Sequence, residues 1–371
     1  MKRPKKKIWL ASGIVLFAAY FFCAARPIPL ETVLEPRWLN SLEFGQPVVL
    51  GDSPAEPGGG EQPGEAGLVP FELGDRFGYF HREGRFVINR TKRANISLSL
   101  ERWAEYEAEP ERVAINDASG EAVFIIENPR GYPFFLDGRT FLVNSEQNAI
   151  SEVDSSGSPA WTYEFASPLT CVDAASGLVL AGSLDGVVGV LDSTGKQMFS
   201  FEPGGSRYSI ILGCAISRDG SKLALVSGID NQRFLLLERF GASVNDYKVV
   251  YHEFLDGDFR RPVHISFIDE DRWIVFERHG GLGLFELGSW QSGKVELNGD
   301  LCAIDQADSQ GLLFAVVARS PGLKELIGIR LPGRLVMEAP FRSEEVFLGR
   351  YGSRLFVGGK QALVAFDLEK R

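Results

Sequence analysis

The sequence is poor in residues that announce chemistry. Its 371 positions hold four histidines and four cysteines. His81, His252, His264 and His279 stand apart, and neither H-E-x-x-H nor C-x-x-C occurs, so the common zinc motifs are absent. Gly-x-Ser-x-Gly, the nucleophile elbow of many hydrolases, is missing too. Gly280-Gly281-Leu282-Gly283 is glycine-rich, but it falls in a hairpin, where no helix terminus offers amides to a phosphate. Asp256-Gly257-Asp258 and Asp269-Glu270-Asp271 read as solvated turns rather than calcium loops. We therefore assign no catalytic residue, no metal and no cofactor from the sequence. His264, immediately before a strand, is the one histidine expected to face a central channel.

Helical periodicity is also lacking after residue 67. Short apolar runs alternate there with Gly-containing turns, the mark of hairpins. A seven-residue pattern recurs, clearest at Cys214-Ala215-Ile216-Ser217-Arg218-Asp219-Gly220 and Gly78-Tyr79-Phe80-His81-Arg82-Glu83-Gly84. Looser copies begin at Tyr132, Cys171, Ile265, Cys302 and Val346. The intervals are 54, 39, 43, 51, 37 and 44 residues. Repeats of that period made of short strands indicate a β-propeller with one blade per repeat. The expected fold is all-β, a seven-bladed propeller over 68–371. The last repeat has room for three strands, so Leu68–Leu73 is expected to supply the fourth and close the ring.

The N-terminus has a different composition. Lys2, Arg3, Lys5, Lys6 and Lys7 precede an uncharged apolar run from Ile8 to Ala25. Eighteen residues suffice to span a bilayer, and a basic flank stays cytoplasmic. The expectation is a basic cytoplasmic segment at 1–7 and an uncleaved transmembrane signal anchor at 8–25. Cleavage after Ala25 and lipidation of Cys23 are the alternatives. A linker at 26–67 follows, whose stretch 51–67 is made of Gly, Pro and acids and is expected to be disordered. The propeller would then face the periplasm or the outside from a cytoplasmic or inner membrane. Five of the 39 basic residues precede the anchor, leaving 34 against 49 acidic ones, a formal −15. Such a body repels nucleic acid.

Cys171, Cys214 and Cys302 share one position in three repeats, which suggests small buried free thiols, a Cys171–Cys214 bridge being the alternative.

The turns Ile115-Asn116-Asp117-Ala118-Ser119-Gly120, Glu152-Val153-Asp154-Ser155-Ser156-Gly157 and Val190-Leu191-Asp192-Ser193-Thr194-Gly195-Lys196 repeat a hydrophobic-Asp-x-x-Gly theme, and 153–165 reads VDSSGSPAWTYEF. This resembles the quinoprotein-like and WD-repeat-like propellers over about residues 68–371. The Trp-Asp dipeptide of true WD repeats is absent, and only Trp161 occupies the tryptophan-docking place of quinone-cofactor enzymes. The resemblance implies a secreted, non-enzymatic scaffold.

In a propeller whose strands run A to D from the centre outwards, A–B and C–D turns share one face, and B–C and D–A loops share the other. The first is expected to be acidic, with Asp117, Asp137, Asp154, Asp192, Asp219, Asp269, Glu270, Asp271, Asp305, Asp308 and Asp367. Asp at a C–D turn also stabilises that turn by itself. The second collects Arg130, Arg207, Arg260, Arg261, Arg278, His279, Arg319 and Lys324. A long B–C insertion in the first blade, about 90–111, is expected to add Trp103 and Tyr106 as exposed anchors. Trp103, Tyr106, Arg130, Arg207, Arg260, Arg261 and His279 are thus the expected binding residues of a monomeric propeller that docks an envelope protein or peptide. An enzyme with its site at the channel mouth (a hydrolase, a lyase or a degenerate quinoprotein dehydrogenase) and a ligand or glycan sensor are the other readings.

Overall fold

The computed structural model describes residues 32–43, 45–50, 67–241, 246–257, 259–305 and 311–370. The basic segment at 1–7, the apolar run at 8–25 and nearly all of the Gly/Pro-rich stretch at 51–67 lie outside the described residues, as do Asp258 and Asp308. No described helix is long and apolar enough to cross a membrane.

The chain is an all-β propeller of eight blades, not seven. Blade 1 comprises Leu68–Leu73, Arg76–His81 and Phe86–Thr91, and blade 2 runs from Asn95–Leu98 to Ala122–Glu127. Blades 3 to 7 are four-stranded antiparallel sheets whose A strands are Tyr132–Leu136, Leu169–Ala175, Ile211–Ile216, Ile265–Ile268 and Asp300–Ile304. Blade 8 is built of Phe347–Tyr351, Arg354–Gly359 and Ala362–Lys370, completed by Thr32–Ser41 and edged by Pro47–Val49.

Six of the seven repeat copies mark A strands. The Gly78 copy does not, because Arg76–His81 is the B strand of blade 1. The interval of 54 residues after it therefore hides one more blade, whose A strand, Asn95–Leu98, lacks the small-apolar signature. The expected insertion at 90–111 dissolves accordingly: it holds the A and B strands of blade 2 and a short loop at 107–111.

Ring closure is also corrected. Leu68–Leu73 is the A strand of its own blade, and the missing strand of blade 8 comes from Thr32–Ser41, which pairs antiparallel with Ala362–Lys370 from Thr32↔Lys370 to Ser41↔Ala362. This segment, expected in the linker, carries Trp38, which the proline-rich composition around it obscured. Trp38 is buried and donates its indole N–H to Arg82 O at 2.8 Å. Gly84 makes room for it: a Cβ there would meet the indole at 2.8 Å, and its φ is +88°.

Strand alternation explains why the ring holds together. Successive side chains point to opposite faces of a blade, and each face meets a neighbour. In blade 4, Leu178 and Leu180 pack with Leu223 and Leu225 of blade 5, whereas Val179 and Ala181 pack with Phe141 and Ile150 of blade 3. The eight apolar clusters fall one to each seam, from blades 1–2 round to 8–1. Polar locks supplement them. Asp173 of blade 4 accepts the backbone N–H of Ile216 in blade 5 at 2.9 Å, and Arg350 of blade 8 pairs with Asp305 of blade 7 at 3.1 Å, both side chains 1% exposed.

Candidate functional site

Two concave or exposed regions meet the requirements of a site. The first is a cavity of about 570 Å³ in the central channel, walled by the A strands of blades 3 to 6. Its titratable groups are Asp137, Cys171, Asp173, Cys214, Arg218, His264 and Asp271. His264 lines this wall, as expected, with Nε2 3.0 Å from Ser266 Oγ. Burial lowers its pKa to about 4 against the opposing pull of Glu277, so the ring is neutral at pH 7. A neutral imidazole on a hydroxyl is half of a nucleophilic dyad. The nearby carboxylate does not extend it, since Glu277 accepts the backbone N–H of His264 (3.4 Å) and binds Arg261 through both oxygens (2.5 and 3.0 Å). Asp173 and Asp271 are likewise occupied by backbone amides, of Ile216 and Ala174 and of Arg218. Burial raises both carboxyls above their usual range. Asp173 and Asp271 thus tie blades 4 and 6 to blade 5. Among the described residues no three His, Cys, Asp or Glu side chains gather as metal ligands.

The thiols divide. Cys171 and Cys214 lie on adjacent A strands, both free, with Cys214 buried and its thiol pushed up first by burial and then by its neighbour Cys171. Cys302 contradicts the shared buried position: it is exposed, with Lys324 Nζ 3.6 Å from its sulfur.

On the A–B/C–D face the acidic turns are satisfied within themselves. Asp154 Oδ1 accepts the hydroxyl of Ser156 and two amides, and Asp192 repeats the arrangement with Thr194. These bonds, the hydroxyl foremost, lower both carboxyls. At Asp219 burial pushes the other way, yet bonds from Ser221 and Ser217 bring it to about 2. Asp305 and Asp367 are paired with arginines. Turn chemistry accounts for Asp154, Asp192 and Asp219, and ion pairing for Asp305 and Asp367.

The opposite face is the second region. The strand order places Arg130, Arg207, Arg260 and Arg261 in D–A loops and His279 in a B–C turn, all on one side of the disc. Arg130, Arg207 and Arg260 are exposed. Arg278 is not, being buried against Glu253 at 3.3 Å. Trp103 departs from expectation: it is 3% exposed, 5.2 Å from the Phe77 ring, with the Arg90 guanidinium 5.1 Å above it. It seals the seam between blades 1 and 2. Tyr106 is half-buried on Tyr132, its hydroxyl near Ser97 Oγ (3.3 Å).

The exposed apolar residues of this face lie elsewhere. Leu184 in the B–C turn of blade 4 is 48% exposed, Tyr208 in the following D–A loop 56%, and Phe254 at the end of the D strand of blade 5 58%. Bonds draw them together. Ser209 Oγ donates to Asp185 O at 3.4 Å, and Arg233 reaches both Pro203 O (2.6 Å) and the Phe254 ring (5.6 Å). Arg207, Arg260 and Arg261 surround the group in sequence. Exposed aromatics framed by arginines are the composition of a binding hot spot. Sequence gave no warning, because exposure at a loop is decided by which neighbouring loop packs over it.

This architecture is that of a β-propeller with a loop-built face and a central channel lined partly by polar side chains. The chain belongs to the family described as beta-propeller protein, whose model matches residues 1–370. An uncharacterized protein of Treponema pallidum (strain Nichols) is 30% identical over 369 residues, covering 99% of this chain and 96% of that protein. Among solved structures, BamB from Moraxella catarrhalis superimposes with a TM-score of 0.59 at 13% identity, over 91% of this chain and 99% of that one. A computationally designed protein, Ika8, gives 0.58 at 15% identity over 82% and 97%. At such identities these structures share the fold.

Proposed function

We propose that this propeller is a protein-interaction platform that docks a protein or peptide on its B–C/D–A face, centred on blades 4 to 6. The observation that carries the reading is that Leu184, Tyr208 and Phe254 are exposed on the same face as the exposed loop arginines Arg207, Arg260 and Arg261. Removing such apolar surface from water favours association, and arginines at the same surface supply orientation. The likeness in fold to BamB, and the T. pallidum relative that matches along nearly the whole chain, are compatible with a scaffold role. The basic-then-apolar pattern of residues 2–25 supports a membrane anchor with the propeller outside the cytoplasm. Protease added to intact cells or spheroplasts tests that topology: cleavage of the propeller is expected, and full protection contradicts it. Docking is tested by affinity capture from the protein's own cell envelope with wild type and the Tyr208→Ser/Phe254→Ser variant. Loss of at least one captured protein is expected, and identical partner sets contradict the face.

A further inference from the structure

Blade 1 has three strands among the described residues, while blades 2 to 7 have four and blade 8 has five. Among the described residues its outermost strand, Phe86–Thr91, pairs with Arg76–His81 alone. In the other blades a D strand stands beyond the C strand, so here the C strand is recessed between the outer strands of its neighbours, forming a slot. The flanking side chains are apolar. On the blade 8 side, Val49 is cross-strand from Trp38, whose ring packs among Phe71 and Phe80 of blade 1. Val49 therefore shares that face, and it is 73% exposed. On the blade 2 side, Ile125 alternates with Phe124 and Ile126, which pack towards Leu142 and Val153 of blade 3, so Ile125 points back to blade 1. Val123, 50% exposed, lies beside it.

From these observations we infer that the slot receives an extended strand of a partner protein, which becomes the fourth strand of blade 1. A recessed edge strand offers a row of backbone donors and acceptors to an incoming segment, the basis of recognition by strand addition. Walls apolar on both sides call for β-branched residues on both faces of that strand. The stretch 85–93 holds Arg85, Arg90, Lys92 and Arg93 and no acid. Lys92 is paired with Glu72, while Arg85 and Arg90 are exposed at the two ends of Phe86–Thr91. The partner strand thus carries acidic residues at its ends. The chain's own stretch 51–66 is a poor occupant, being Gly, Pro and acids without a β-branched residue. This surface lies on the outer flank of the disc at blade 1, apart from the loops of blades 4 to 6, and does not depend on them.

The test uses the full-length protein and a labelled peptide, acetyl-Glu-Val-Ile-Val-Thr-Val-Glu-amide. Fluorescence anisotropy is expected to show saturable binding with a Kd on the order of 10 μM, weakened about tenfold by Val49→Lys or Ile125→Lys and by lysines in place of the peptide's glutamates. Hydrogen exchange is expected to show new protection confined to the outward-facing amides of 86–91, those not bonded to Arg76–His81, and thermal melts of both variants check that they remain folded. The inference is overturned by absence of saturable binding, by an unchanged Kd in folded variants, or by protection elsewhere. It is equally overturned if the outward-facing amides of 86–91, those not bonded to Arg76–His81, are already protected without peptide. Loss of that protection on shortening 51–66 identifies the chain's own segment as the occupant, and concentration-dependent protection identifies a second copy.

Discussion

Arg37 and Asp367 are joined by an ion pair of 2.6 Å across 330 positions of chain. Arg354 holds the same carboxylate at 2.6 Å. This contact is the polar seam of ring closure, and Trp38 is its apolar counterpart, 5.8 Å from Phe80 and 5.9 Å from Phe356. Because blade 8 combines the two ends of the described chain, either end opens the ring when removed. Deleting residues 362–371, or residues 32–41, is expected to abolish the cooperative melt by circular dichroism. Trp38→Ala is expected to cost about 3–5 kcal/mol in urea unfolding, the range for a large core side chain. A truncated protein that keeps the wild-type melting temperature contradicts this closure.

Acid is expected to weaken the fold in two steps. His264 has a folded pKa of about 4, below its ordinary 6.5, so the unfolded chain binds the proton more readily as pH falls between those values. The loss is at most about 3 kcal/mol and begins near pH 6.5. At Asp367 burial works to raise the carboxyl, but Arg354 and Arg37 outweigh it and hold it below the usual range. Its contribution is present above the unfolded carboxylate pKa and disappears as pH falls through the lowered folded value. Asp173 acts in the opposite sense, since burial raises its pKa and protonation relieves that cost. Urea midpoints from pH 7.5 to 4 for wild type and His264→Gln check the first step. The variant should lose the slope between pH 6.5 and 4, and an unchanged slope contradicts the assignment.

Thiol reactivity should follow exposure rather than repeat position. Maleimide added to the native protein is expected to modify Cys302 well before Cys171 or Cys214, as peptide mass spectrometry can follow. Equal rates for the three contradict the burial described here.

Much of this molecule is legible in its residues. The A strands beginning near Tyr132, Cys171, Cys214, Ile265, Cys302 and Val346 were marked by a small or apolar pair before a Gly turn. Asn95–Leu98 lacks that pair, so a blade went uncounted. Gly78 carries the full pattern on a B strand, because the pattern reports a buried strand followed by a tight turn and not its place in the blade. Trp103 among glutamates looked like an exposed anchor. It is buried in the seam between blades 1 and 2 although Glu101 and Glu105 stand two positions to either side, so the neighbouring charges concealed it. The channel-facing place of His264 followed from its position before an A strand. Tyr208 and Phe254 carry no local signal, since their exposure depends on loops contributed by separate blades.

The central claim is that the B–C/D–A face of blades 4 to 6 is a docking surface. Site-specific photo-crosslinking in living cells tests it most directly, with the photoreactive residue at position 208 or 254 and, as reference, at 336, where Val336 is exposed on the outer strand of blade 7. The account predicts the same discrete adduct from 208 and 254 and its absence from 336. Adducts of equal yield from all three positions, or none from 208 and 254, would contradict it.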